Sequence, residues 1–169
     1  MSKKLMHIIA LIMIVFLLPS TALAKAPSPK GNEITKAEFI SIISDFFSWP
    51  HQTDYNDIWK APLKKFNDVK TSDQYGKQIE VAYEEGIIAP DSKGNFYPDS
   101  GITRQDAAAI LVKAFKIAPS DTETTFNDKD SISMEALESV NALVELGFMD
   151  GRTPKLFMPD ELIKKEEVD

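Results

Sequence analysis

IEVAYEEGII at residues 79–88 returns as VNALVELGFM at residues 140–149, and this offset of 61 residues decides how the rest of the chain is read. Both stretches carry apolar side chains at the 3.6-residue period and then meet a glycine, Gly86 or Gly147. Each therefore predicts an amphipathic helix closed by a glycine in the left-handed conformation. Other matches hold the spacing to within a residue. Phe66-Asn67-Asp68 reappears as Phe126-Asn127-Asp128, and Phe96-Tyr97-Pro98-Asp99 as Phe157-Met158-Pro159-Asp160. Ile102-Thr103-Arg104-Gln105-Asp106 reappears as Ile163-Lys164-Lys165-Glu166-Glu167, and Ile34-Thr35-Lys36-Ala37-Glu38 is a third copy of it. Ordered matches at one offset mark an internal repeat, which sets the architecture before any single element does.

The third motif opens a second type of helix. Thr35-Lys36-Ala37-Glu38 is a capping box, in which the threonine oxygen accepts from the backbone N–H three residues on and the glutamate reaches back. Thr103-Arg104-Gln105-Asp106 is the same device with a shorter acid, so Thr35, Glu38, Thr103 and Asp106 are expected to cap their helices. Behind them run the stripes Phe39, Ile42, Ile43, Phe46 and Ala107, Ile110, Leu111, Ala114. Lys164 to Glu167 lacks the threonine, and Asp169 arrives before a stripe develops, so the third repeat is expected to be incomplete. No stretch alternates with period two. The expectation is an all-α domain of helix-loop-helix units.

Each of these motifs puts a cation, Lys36, Arg104 or Lys165, on the first turn of its helix. That is the positive end of the macrodipole, where a fixed cation costs roughly 0.3–1 kcal/mol. Three recurrences of an unfavourable placement point to an anion held beside it, from a neighbouring repeat or from a ligand.

Lys3 and Lys4, the apolar run Leu5 to Leu18 and the ending Ala22-Leu23-Ala24 read as a secretory signal peptide over 1–24. The run is shorter than the ~20 residues needed to span a bilayer. Residues 25–33 read as a flexible leader, and 34–169 as one domain. Within it, 34–65 is a partial repeat with an aromatic insert, 66–125 a complete repeat and 126–169 a truncated one. Trp49 and Trp59 in the insert, with Tyr75, are candidate aromatic contacts, although packing onto the core is the plainer reading.

Composition narrows the function classes. Loss of Lys3 and Lys4 with the signal takes the net charge from −7 to −9, which disfavours nucleic acid and anionic membrane surfaces. There is no cysteine, and the histidines are His7 and His51 alone, which leaves no thiol nucleophile, no histidine triad and no zinc site. Asp91 to Ile102 has Lys93 and Ile102 where a calcium loop needs acids. No metal, no cofactor and no enzymatic activity are expected.

Phe66-Asn67-Asp68-Val69, Gly86-Ile87-Ile88, Phe96-Tyr97-Pro98 and Ile102-Thr103-Arg104-Gln105-Asp106, in that order, resemble the S-layer homology (SLH) domain family. The resemblance runs from about Ile34 to Val168. It implies three repeats in a pseudo-threefold arrangement and non-covalent attachment to the secondary cell-wall polysaccharide of a Gram-positive envelope, a polymer that in the family often carries pyruvate ketals. The family's basic contact falls on Arg104 and, as lysine, on Lys36 and Lys165, and its glycine on Gly151. The protein would then be secreted and held at the cell surface. The alternative kept open is an SLH-like fold that serves as a protein-interaction module, possessing a decayed glycan site and using the aromatic insert as contact surface for another surface protein.

Overall fold

The computed structural model describes residue 23 and residues 25–49 and 65–168. The expected signal segment, except Leu23, lies outside the described residues, as do Trp59 and most of the insert. Among the described residues four α-helices follow in order: α1 Lys36–Phe46, α2 Gly76–Glu84, α3 Arg104–Ala114 and α4 Met134–Glu145. Two 3-10 turns, Lys129–Ser131 and Lys165–Glu167, complete the regular elements of the described residues. Extended pairing among the described residues is limited to isolated bridges.

The caps form largely as their residues dictate. The Thr35 hydroxyl accepts from Glu38 N at 3.0 Å and the Glu38 carboxylate from Thr35 N at 2.8 Å, a complete capping box worth about 1 kcal/mol. In α3 the Thr103 hydroxyl accepts from Asp106 N at 3.2 Å. On the third copy, Glu167 accepts from Lys164 N at 2.9 Å, so the acid half of the box persists without a threonine. Gly86 and Gly147 both close their helices at φ +71°.

Packing is offset by half a repeat from the sequence units. α1 packs mainly on α2, and α3 on α4, so each pair joins the cation helix of one unit to the first helix of the next. α3 lies between two cores: Ala107 and Ile110 enter the first with Phe39, Ile40, Ile79 and Phe96, while Ala108 and Val112 enter the second with Val140, Leu143 and Phe157. Burial on both sides accounts for its run of alanines, since larger side chains would hold the neighbouring helices apart.

The three copies of the cation motif meet at their isoleucines. Ile34 N donates to Ile163 O at 3.0 Å, Ile163 N to Ile102 O at 2.9 Å, and Ile102 N to Ile34 O at 3.1 Å, a closed cycle of hydrogen bonds within one chain. All three side chains are buried, each contributing about 1.5–3 kcal/mol. The next residues extend the pattern: Lys36 N donates to Ser100 O, Arg104 N to Glu161 O and Lys165 N to Asn32 O.

The segment expected to be a flexible leader is laid against this ring. Ala26 is buried, Pro27 O accepts from Gly101 N at 2.8 Å, and Glu33 bridges to Lys164. Leu23 is also in the first core, at 1 % exposure. Cleavage after Ala24 would therefore take one apolar side chain out of that core.

The Phe-Asn-Asp motifs position the loops that lead to the cations. Asp68 accepts from Phe96 N at 2.9 Å and Tyr97 N at 2.7 Å, and Asp128 accepts from Phe157 N at 2.9 Å and Met158 N at 2.7 Å. Tyr97 and Met158 stand at φ +60° and +59°, a conformation that costs a non-glycine residue of order 1 kcal/mol or more. The carboxylate fork over two successive N–H groups holds it in place.

Candidate functional site

Arg104, the first residue of α3, is 5 % exposed and reaches across to the loop after α4. Its Nε donates to Phe157 O at 2.9 Å, its NH2 donates to Asp150 O, and its guanidinium lies over the Phe157 ring, 4.6 Å from the centroid. NH1 stands 3.8 Å from Oε1 of Glu167. Burial and then the charge of Arg152 lower the Arg104 pKa from its ordinary value, against the pull of Glu167, Glu161 and Asp128.

Arg152 completes the cluster. Its Nε donates to Glu161 Oε2 at 2.6 Å, and NH1 and NH2 both donate to the Glu167 carboxylate, a bidentate pair. The Glu167 carboxyl is pulled below its usual range: burial opposes this, but Arg152, the Lys164 N–H and Arg104 outweigh it. Two guanidiniums thus converge on one internal carboxylate. They open on a groove of about 350 Å³ lined by Phe39, Leu111, Phe148, Gly151, Ile163 and Val168.

Gly151 sits where backbone passes closely. A Cβ there would meet Thr153 O at 2.4 Å and a carbon of Phe126 at 2.5 Å, so any side chain would push this wall of the groove aside. Gly151 and Arg104 line the same groove.

The other expected contacts lie elsewhere. Lys36 is 0 % exposed, its Nζ 4.0 Å from Asp106 Oδ2 and 5.9 Å from the centre of the Tyr97 ring. Burial pulls its pKa down to about 8 against the attraction of Asp106, Asp68 and Asp91. Burial likewise raises the Asp106 carboxyl, opposed by Lys36 and Thr103. Lys165 is exposed on its 3-10 turn and lies outside the Arg104 groove. Trp49 stacks on Phe47, with centroids 5.8 Å apart, and packs against the first core, as the plainer reading held.

Tyr75 lines a second groove, of about 480 Å³, together with Glu38, Asp68, Asp73 and Asp99. That surface is acidic and would repel an anionic ligand. The Asp91 carboxylate is engaged by the N–H groups of Lys93 and Asn95 and the Tyr97 hydroxyl, which makes it a turn former. Among the described residues no cluster of three or more His, Cys, Asp or Glu could hold a metal.

Arg152, Glu161 and Glu167 were not singled out as site residues from the sequence. One signal could have found Glu167. It holds the register of Asp106 in the aligned motifs, and the first two cations face the acid of the following unit: Lys36 faces Asp106, and Arg104 faces Glu167.

A profile of the S-layer homology domain matches residues 65–108 and 125–168, more than half of the chain. The chain belongs to the S-layer homology domain family. It is 33 % identical over 142 residues to exoglucanase XynX of Acetivibrio thermocellus, covering 81 % of this chain and 12 % of that protein. It is 29 % identical over 140 residues to a cellulosome-anchoring protein of the same species, covering 80 % of this chain and 30 % of the relative. With an S-layer protein of Bacillus thuringiensis subsp. finitimus it shares 29 % identity over 143 residues, 81 % of this chain and 16 % of the relative. Membership makes this SLH chain a cell-surface attachment module. The enzyme name attaches to a protein of which the chain matches a small part.

Proposed function

We propose that this SLH chain, released from its 1–24 signal and without catalytic activity, attaches non-covalently to an anionic secondary cell-wall polysaccharide, pyruvylated in its carboxylate-bearing units, through the Arg104 groove. The ring of Ile34, Ile102 and Ile163 hydrogen bonds supports a pseudo-threefold SLH arrangement in which the cation helix of the third unit is reduced to its Lys165–Glu167 turn. The observation that carries the reading is the convergence of Arg104 and Arg152 on one carboxylate beside an open groove, in a chain that is acidic overall. A ligand carboxylate arriving there meets donors that are already oriented. Little ordering cost remains. Lys36 has no exposed atoms, so the reading rests on Arg104, with Arg152 beside it and Lys165 as a peripheral charge.

The test is sedimentation of the purified chain with native Gram-positive walls and with the same walls stripped of secondary polymer. The chain is expected to follow the native walls only. Equal sedimentation with both would overturn the reading.

One observation favours the second reading, an interaction module. Phe46, Phe47 and Phe115 form an exposed aromatic cluster with ring centroids 5.0–5.1 Å apart, continued by Trp49. If that surface carries the function, Phe46→Ser with Phe115→Ser abolishes capture by a surface-protein partner and leaves wall sedimentation unchanged.

A further inference from the structure

Phe148 and Ile87 occupy the same position in the two units, directly after the left-handed glycines Gly147 and Gly86. Their backbones are held alike: Ile87 N donates to Ala82 O at 2.9 Å and Phe148 N to Leu143 O at 2.8 Å. Their side chains are placed oppositely. Ile87 is 4 % exposed and belongs to the first core, whereas Phe148 is 70 % exposed. The larger apolar residue is thus the one left in water, at a position whose backbone geometry is compatible with burial. Burial of such a ring would stabilise the fold, and the fold forgoes it.

The ring is not isolated on the surface. Phe148 lines the same groove as Arg104 and Arg152. It lies two residues before Asp150, whose carbonyl accepts from the Arg104 guanidinium, which puts its Cα within about 7 Å of that anchor. An arginine that is nine-tenths buried and lines the groove, a second arginine beside it and an exposed aromatic face at that separation make a composite surface. It is charged at one end and apolar at the other. A pyranose bearing a carboxylate has the same two-part character: an anionic substituent and, on one face of the ring, a patch of C–H groups that suits an aromatic plate.

We propose that Phe148 is the specificity-determining residue of this groove, the plate on which the sugar ring lies while Arg104 and Arg152 take the carboxylate of the same residue. The proposal rests on the function above and names its ligand class more closely: an acidic pyranose unit, rather than any carboxylate. Free pyruvate would engage the arginines alone. The ketal-bearing sugar would engage both ends.

The experiment titrates the full chain, by calorimetry, with three probes: a methyl hexopyranoside carrying a 4,6-pyruvate ketal, the same glycoside without the ketal, and sodium pyruvate. The variants are Phe148→Ala, Phe148→Leu and Phe148→Tyr. The wild type is expected to bind the ketal glycoside about tenfold or more tightly than pyruvate, and the plain glycoside not measurably. Phe148→Ala and Phe148→Leu should bring the ketal glycoside down to the pyruvate level while pyruvate binding stays unchanged, and Phe148→Tyr should keep the wild-type preference. Leucine separates a plate from mere apolar filling. Ketal binding that is equal in wild type and Phe148→Leu overturns the plate and leaves carboxylate capture standing. Parallel weakening of pyruvate and ketal glycoside in Phe148→Ala also overturns it, since the residue would then act on the fold of the groove. A wild type that binds neither carboxylate probe overturns both this proposal and the function it rests on.

Discussion

Arg104 and Glu167 face each other across the boundary between consecutive units, NH1 to Oε1 at 3.8 Å, and Lys36 and Asp106 stand in the same relation one unit earlier, Nζ to Oδ2 at 4.0 Å. The acid of the next repeat therefore answers the cation placed against the dipole of each helix. The two pairs differ in access. The Lys36 ammonium is sealed, while the Arg104 pair opens on a groove. Ligand binding at Arg104 then means exchanging one carboxylate for another.

That exchange gives a prediction with a sign. Glu167 holds the position of a ligand carboxylate and must yield it, so Glu167→Gln, which keeps an acceptor for Lys164 N but removes the charge, should tighten binding to native walls. Its pair with Arg152 is partly exposed and so worth about 1 kcal/mol or less, which sets the gain at roughly two- to fivefold. Sedimentation isotherms at fixed salt would read it. Weaker binding by Glu167→Gln would mean that the acid orients the arginines instead of competing for them.

Arg104→Ala should cost stability as well as binding. The substitution strips partners from the carbonyls of Phe157 and Asp150, at about 1–3 kcal/mol for each carbonyl left buried. The thermal midpoint is then expected to fall by on the order of 5–10 °C. Arg104→Lys should recover part of the stability but little of the wall binding, because a point charge lacks the fork that matches a carboxylate. Differential scanning calorimetry beside sedimentation separates the two losses; an unchanged midpoint in Arg104→Ala would contradict the clamp.

Lys36 and Asp106 are both pushed toward their neutral forms by burial, the signature of an ion pair that does not fully offset its own desolvation. The double variant Lys36→Met with Asp106→Asn should melt at or above the wild-type temperature at pH 7, whereas Lys36→Met alone should melt lower. The sign with pH follows from the lowered lysine. Between about 8 and the ordinary lysine value the unfolded chain holds the proton and the folded chain does not, so the wild type gains stability as pH rises through that window. The advantage of the double variant should accordingly shrink from pH 7.5 to pH 10. Urea midpoints across that range check it, and an advantage that grows would reverse the argument.

Much of the local structure was legible because short-range rules govern it. The capping box at Thr35, the glycine closures at 86 and 147 and the start of α3 at Arg104 each depend on residues within four positions of one another. Pairing between units was not. Nothing in the α1 stretch indicates that Lys36 is sealed beneath Tyr97 and Asp106, because the burial comes from a loop and a helix some 60 to 70 residues later. Long range along the chain also hid the half-repeat offset of the packing, which joins α1 to α2 across the insert. Phe148 was unreadable for a related reason: its repeat partner Ile87 is core, and only the surroundings of the two units distinguish them.

The central claim is that this SLH chain recognises carboxylates on the wall polymer through the Arg104 groove. The most direct measurement is the binding isotherm of the chain on purified secondary wall polysaccharide before and after its carboxyl groups are blocked as neutral amides. The account predicts at least a tenfold loss of affinity on blocking, and no further loss when Arg104→Lys is measured on the blocked polymer. Undiminished binding to the blocked polymer would contradict it.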